Sequence, residues 1–329
     1  MNPFRRQLAP VLITLMCALG AAPQAGAQGA AAPFPSKTIT LVVPYQPGGA
    51  PDTLARLLAP KLAASLGQTV VVENRPGASG NIAAAGVAHA SADGHTILLA
   101  TEPMVTINPH LFKNMGYDPA KDLTPITAAV NVVMALSVSA QVPATTVPEL
   151  VAYLKANPGS GFGTSGIGTP MHLAGLRLAR LANVEVVHVP YRGGALVLGD
   201  LAGNSIKFGF VDLASTKSFA EGGKIRILAI GEPRRSEVAG AIPTLAETYP
   251  GLTLTSWFAF FGPAGMPAAV TERWSAELKA ALLAPDVKDK LQAMGISVRP
   301  DGPAELTRMV RTGLESFGRE VQDNKITVE

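Results

Sequence analysis

The chain of 329 residues holds a single cysteine, Cys17. Beyond that position it has no disulfide framework, thiolate nucleophile or cysteine metal site to draw on. Charge is sparse: 16% of residues are Asp, Glu, Lys or Arg, and the net charge is +3. No basic run exceeds two residues (Arg5-Arg6, Arg234-Arg235), so the electrostatic footprint of a nucleic-acid-binding protein is missing. The five histidines never fall four apart and no H-E-x-x-H occurs, which removes a zinc-hydrolase helix. Ser165, in the most glycine-rich passage, is not framed by G-x-S-x-G. After Ala22 no apolar run approaches the roughly 20 residues that a membrane-spanning helix needs. What the chain has in quantity is apolar surface, 47% hydrophobic residues, punctuated by 33 Gly and 27 Pro. That is the composition of a turn-rich globular protein, with no disordered or low-complexity tract, and the length suits about two domains.

The N-terminus reads as a secretory signal peptide. Arg5 and Arg6 precede the apolar stretch Leu8–Ala22, and Ala25-Gly26-Ala27 is a small-x-small cleavage site. Cleavage near Ala27 removes Cys17. It leaves a nearly neutral, soluble chain outside the cytoplasm, with Gln28–Pro33 as a linker.

Beyond the linker, strand and helix alternate. Thr38–Val43 and Thr96–Ala100 are continuous apolar runs of strand length, and Thr69–Glu73 lies between them. Leu54, Leu58, Leu62 and Leu66 repeat at helical spacing, with Gly67 as a stop. Further strands are expected at Val186–Val189, Ile206–Phe210 and Ile225–Ile230. Thr146-x-x-Glu149 marks a capping box, and Pro303 opens a last helix with Leu306, Val310, Phe317 and Val321 on its buried stripe. The rhythm predicts mostly parallel sheets covered by helices.

Three glycine-rich turns each feed a helix: Pro47–Asp52, Arg75–Asn81 and Gly161–Pro170. A helix start offers unpaired N–H groups and the positive end of the macrodipole, and glycine lets an anion approach that backbone. In the first of these turns Asp52 reads first as a helix N-cap; Asp212, at the end of a later strand in Phe210–Ser215, reads as an N-cap, a turn residue or a cleft residue. His172, at a helix entrance with no local partner, reads as a neutral hydrogen-bonding residue. Gly161–Gly166 spells G-x-G-x-x-G, a weak match to the dinucleotide fingerprint because a turn, Asn157–Ser160, precedes it where the fingerprint needs a full strand.

Several ordered motifs resemble one family. Pro44-Tyr45-Gln46-Pro47-Gly48-Gly49-Ala50-Pro51-Asp52, then Ala55-Arg56, is similar to the P-[FY]-x-P-G-G-x-x-D…A-R signature of Bug-type periplasmic solute-binding proteins, the receptors of tripartite tricarboxylate transporters. Val72–Ala78, Asp93–Thr96, Ile107–Pro109, Gly166–Gly175, Val189–Tyr191, Phe210–Ser215 and Gly262–Gly265 fit the same pattern in order. The resemblance implies an α/β, two-lobed (type II, Venus-flytrap) periplasmic-binding fold with a ligand cleft between lobes. The lobes are expected at residues 34–131 plus 259–329 and at residues 132–258, with crossings near Ala129–Val133 and Ser256–Phe260.

The function implied is capture of a small organic carboxylate in the periplasm, without cofactor, metal or catalysis. A monomer would hand that ligand to membrane transporter subunits. A secreted α/β hydrolase is the alternative. Carried over by motif, the ligand-binding residues are Tyr45, Gly48, Gly49, Ala50 and Asp52 in the first lobe. In the second they are Thr164, Ser165, Gly168, Thr169, Pro170, His172 and Asp212.

Neither loop, Tyr45–Asp52 or Thr164–His172, contains Lys or Arg. Helix N-termini and the hydroxyls of Thr164, Ser165 and Thr169 are therefore expected to hold the carboxylate, with Arg192 as the rival. Ile167, Tyr45, Met104 and Pro170 are expected to give the pocket apolar walls. Departures from the family pattern are Ile167 where Asn is common and Glu102-Pro103-Met104 in place of small polar residues.

Overall fold

The computed structural model describes residues 34–254 and 256–327; the expected signal segment and linker lie outside them. Eleven strands are described: β1 Ile39–Val43, β2 Val70–Asn74, β3 Thr96–Thr101, β4 Leu123–Val132, β5 Met134–Ser139, β6 Ser160–Thr164, β7 Val186–Pro190, β8 Phe208–Asp212, β9 Ile225–Ile230, β10 Trp257–Pro263 and β11 Ile296–Val298. They form a six-stranded sheet, β11-β4-β10-β3-β1-β2, and a five-stranded sheet, β7-β6-β8-β5-β9, the cores of a first and a second lobe.

The connecting helices are α1 Ala50–Leu66, α2 Asn81–Ala88, α3 Glu102–Thr106, α4 Asn108–Leu111, α5 Val147–Ala156, α6 Pro170–Ala182, α7 Gly194–Ala202, α8 Leu213–Ala220, α9 Leu245–Thr248, α10 Ala268–Leu282, α11 Pro285–Ala293 and α12 Pro303–Asp323.

The apolar runs become strands buried on both faces, as a sheet sandwiched by helices requires. In β1, Ile39, Leu41 and Val43 enter one core cluster and Val42 the opposite one. In β3, Ile97 and Leu99 face one way while Leu98 and Ala100 face the other. Each fully buried Leu or Ile contributes about 1.5–3 kcal/mol. The stripe predicted on the last helix is also buried, with Leu306, Val310, Phe317 and Val321 inward on α12.

The sheets are mixed, which corrects the expectation of mostly parallel pairing. β1 pairs parallel with β2 and β3, and β6 with β7 and β8. But β10 is antiparallel to β3 and β4, β11 to β4, and β5 to β8 and β9. The physical reason is the exchange of chain between sheets. β4 leads through Val133 alone into β5, and β10 returns from the second sheet into the middle of the first, so neither arrives by a helical crossover. Val133 is bonded to both lobes: its N–H donates to the Gly295 carbonyl and its carbonyl accepts from the Leu213 N–H.

Candidate functional site

The three glycine turns lie at the C-terminal ends of β1, β2 and β6, where ligands bind in open α/β sheets. Two cavities, of about 380 Å³ and 720 Å³, share Tyr45, Thr101, Ser256 and Phe258 as lining residues and so form two compartments of one cleft. Ser79, Asn108, Ser165, Ile167, Gly168 and Thr169 line the first compartment. Ala50, Met134, Asp212, Ser215 and Met294 line the second.

In the first lobe the chain leaves β1 and turns at Gly48, whose φ of +95° favours glycine, before Gly49 caps α1. Asp52 is not the N-cap. It is the third residue of the helix, because α1 already begins at Ala50 with Pro51 in its first turn. Its buried carboxylate accepts from the Gly48 N–H at 2.9 Å, from Arg56 Nε at 3.0 Å and from Asn74 Nδ2 at 2.9 Å. Burial alone would raise its pKa, but Arg56, Gly48 and Asn74 together hold it below the usual carboxylate value. Asp52 thus shapes the turn and lines neither compartment. Tyr45 does line both, its hydroxyl 2.9 Å from Thr101 Oγ1.

Around Ser79, Ala78 and Ser79 both take positive φ, +47° and +54°. Left-handed backbone costs about 1–2 kcal/mol per non-glycine residue, and here it is held by a side chain. Asn108 Nδ2 donates to the Ser79 carbonyl at 3.2 Å and to Asn81 Oδ1 at 2.7 Å.

In the second lobe β6 ends at Thr164 and α6 begins at Pro170. Thr169 is the N-cap: its hydroxyl accepts from the His172 N–H at 3.3 Å and donates to the Gly166 carbonyl at 2.9 Å. Thr164 is fully buried, its hydroxyl 2.7 Å from His188 Nε2 and 3.1 Å from the Gly166 carbonyl. Both hydroxyls expected to grip a ligand therefore hold the loop itself. The Ser165 side chain lines the cleft, and no hydrogen bond among the described residues engages its hydroxyl or the N–H groups of Ile167, Thr169 and Met171.

His172 and His188 stack at 3.7 Å between centroids, and His172 Nδ1 accepts from the Gly168 N–H at 3.2 Å. Burial lowers both pKa values to about 4, with the His172 charge adding to the effect at His188. Both imidazoles are neutral loop supports near neutral pH.

Asp212 caps α8, accepting the Ser215 N–H at 2.8 Å, and also lines the second compartment. Among the described residues no Lys or Arg lines either compartment; Arg192, the rival anchor, is exposed and belongs to neither. Ile167 and Pro170 supply apolar wall as expected, but Met104 is fully buried beneath Gly80. Of the G-x-G-x-x-G glycines, Gly163 serves packing and Gly166 a positive-φ turn. Gly161 and Gly163 lie within β6, and a side chain at Gly163 would collide with Ile206 and Val197.

Thr101, Asn108, Ser256 and Phe258 also line the cleft and were not among the expected site residues. Asn108 stood in a quoted motif, and Ser256 and Phe258 in the expected crossing. Thr101 had only its place at the end of a strand.

A family model described as tripartite tricarboxylate transporter family receptor matches residues 54–325. The chain is 34% identical over 296 residues to a UPF0065 protein in the tcbD-tcbE intergenic region of Pseudomonas sp. strain P51, covering 89% of this chain and 88% of that one. Among solved structures, R. palustris Rpa4515 with adipate is 34% identical, with a TM-score of 0.78, covering 90% of this chain and all (100%) of the other. MatC (Rpa3494) from Rhodopseudomonas palustris with bound malate is 30% identical, with a TM-score of 0.72, covering 88% of this chain and 100% of the other.

Proposed function

The chain belongs to the tripartite tricarboxylate transporter receptor family, and from that premise we propose that it captures a small organic carboxylate in its cleft and releases it unchanged. One observation carries this reading. Two glycine turns from different lobes face the cleft, where among the described residues no hydrogen bond engages the N–H groups of Ala50, Ile167 and Thr169 or the Ser165 hydroxyl and no Lys or Arg lines the walls. Such donors at a helix start suit a carboxylate. They leave the rest of the ligand to Ile167, Phe258, Met134 and Met294, so an apolar or aromatic body fits these walls. The relatives solved with adipate and malate support the carboxylate class.

In this reading the lobes are residues 34–131 plus 259–329 and residues 132–258, supported by the two separate sheets. The protein works as a monomer in the periplasm after cleavage near Ala27, and delivers to membrane subunits of a transporter. The sequence pattern of residues 1–27 and the family support that location.

A thermal-shift panel of mono- and dicarboxylates with aliphatic or aromatic bodies tests it. A binder at 100 times its Kd adds about 2.7 kcal/mol of stability. Recovery of the ligand unaltered after incubation is expected. Conversion of the ligand would favour the hydrolase reading, and no shift with any carboxylate would contradict capture.

A further inference from the structure

Behind the cleft, a third cavity of about 270 Å³ lies where α6 of the second lobe meets α3 and α12 of the first, and Glu102 and Arg177 both line it. Glu102 opens α3 and is 4% exposed, and its Oε2 has no hydrogen-bond partner among the described residues. Arg177, on α6, places Nε 3.5 Å from Glu320 Oε1 of α12. Both groups are largely buried, and Arg177 Nε and Glu320 Oε2 likewise lack a hydrogen-bonded partner. Alongside, Leu173 of α6 packs with Ile107, Phe317 and Val321 of the first lobe. One guanidinium, on the helix that begins at the end of the ligand loop, thus pairs with the first-lobe carboxylate of Glu320 and shares a cavity with that of Glu102.

We propose that Arg177 is a positioning residue for ligand capture: paired with Glu320 and sharing a cavity with Glu102, it latches α6 and the Thr164–Pro170 loop to the first lobe, and closing this latch takes up one proton on Glu102. The proposal rests on the capture reading for its ligand, but not for the latch itself.

The balance of charge favours the proton. Besides Arg177, the cationic side chains lining this cavity are Arg299 and Arg308, and both are committed elsewhere. Arg299 pairs with Asp301, and Arg308 with Glu305. Glu320 has Arg177 and Arg180 as cationic neighbours and Asp323 as an anionic one. Trp257, from β10, and Arg177 both favour the ionised form of Glu102, yet burial dominates and pushes its pKa up to about 8.

In an opened protein α6 withdraws, water reaches Glu102, and its pKa returns toward the ordinary carboxylate value. Closure is then favoured most at low pH and loses strength as pH rises toward about 8. The slope approaches tenfold per pH unit for one linked proton.

Interlobe distances measured by electron paramagnetic resonance decide this. The only native cysteine, Cys17, is replaced by Ser, and labelled cysteines are placed at the exposed positions Lys155 and Glu272 of the full chain. Distances are recorded from pH 5 to 9, with and without adipate as the probe. The closed fraction of the parent should fall as pH rises. Glu102→Gln, a permanent mimic of the protonated acid, should close at all pH values without that slope. Arg177→Met should shift the equilibrium toward open by roughly tenfold, with partial rescue by Arg177→Lys.

A closed fraction indifferent to both pH and Arg177→Met overturns the latch, and an unchanged slope in Glu102→Gln overturns the proton assignment. Failure of adipate and the carboxylate panel to bind counts against the capture reading alone, since the distances without ligand still decide the latch.

Discussion

In the first lobe the glycine turn is braced by charge: Asp52 accepts the Gly48 N–H while Arg56 and Asn74 hold its carboxylate from the far side. In the second lobe neutral groups hold the turn. The Thr164 and Thr169 hydroxyls bind the loop's own carbonyl, and a stacked pair of uncharged imidazoles supports it from below. The two turns face one cleft, yet Asp52, Thr164 and Thr169, which look like ligand contacts, are spent on the loops. What the turns leave for a ligand is backbone N–H, the Ser165 hydroxyl and Tyr45, which lines both compartments. Polar residues in a binding loop therefore divide into those that shape it and those that reach the ligand, and only hydrogen-bond accounting separates them.

The largest effect is expected at Gly168. Its φ is +72°, and a Cβ there would lie 2.4 Å from Leu111 Cδ1 in the opposite wall. Gly168→Val should reduce carboxylate affinity roughly a hundredfold or more, through backbone strain and a narrowed cleft, with little change in the first lobe. Titration calorimetry measures it; an unaltered affinity would mean that this loop does not meet the ligand.

Next comes the charged brace. Asp52→Ala strands Arg56 and Asn74 and should cost about 2–4 kcal/mol of stability in denaturant unfolding. The corresponding loss in the other loop, Thr169→Val, removes one N-cap and should cost about 1 kcal/mol. Equal losses would erase the contrast between the two turns.

Ser165→Ala removes the hydroxyl left free for ligand and should weaken binding about tenfold while leaving stability unchanged. Thr164→Val, by contrast, should lower stability first.

Acid provides the gentlest test. The imidazoles have folded pKa values lowered to about 4, so the unfolded chain takes their protons first, from the ordinary histidine value near 6.5 downward. Their contribution is present above about 6.5 and is lost as pH falls toward 4. Glu102, raised to about 8, works in the opposite sense across part of that window. Glu232 and Glu320, also raised by burial, add to that opposite sense, so the imidazoles are read by difference: from pH 6.5 to 4.5 the parent should lose more Tm than His188→Gln does. Asp52, with its lowered pKa, keeps the first turn braced throughout that range.

Much of this architecture was legible because it is local. Continuous apolar runs became β1 and β3 since each is buried on both faces, and the 3.6-residue stripe became α12. The capping pair Thr146–Glu149 was half right. The Thr146 hydroxyl accepts the Glu149 N–H, but the Glu149 carboxylate turns back to Thr145.

What escaped is assembled at a distance. The antiparallel place of β10 between β3 and β4 is set by chain exchange between sheets, which no local pattern encodes. Thr101 and Phe258 meet in the cleft because β10 pairs with β3, where those two residues are register partners. The inward turn of the Thr164 hydroxyl needs His188 from the adjacent strand, and Met104 fills the space that Gly80 leaves open rather than facing the cleft.

In the capture reading, a carboxylate is recognised in this cleft without a cationic side chain. Calorimetry with the best binder of the carboxylate panel and its neutral amide, on the parent and on Arg192→Ala, tests it directly. The carboxylate should bind equally to both proteins, and the amide, presenting N–H to donors, should lose at least a hundredfold. Equal binding of the amide, or loss of carboxylate binding in Arg192→Ala, would contradict it.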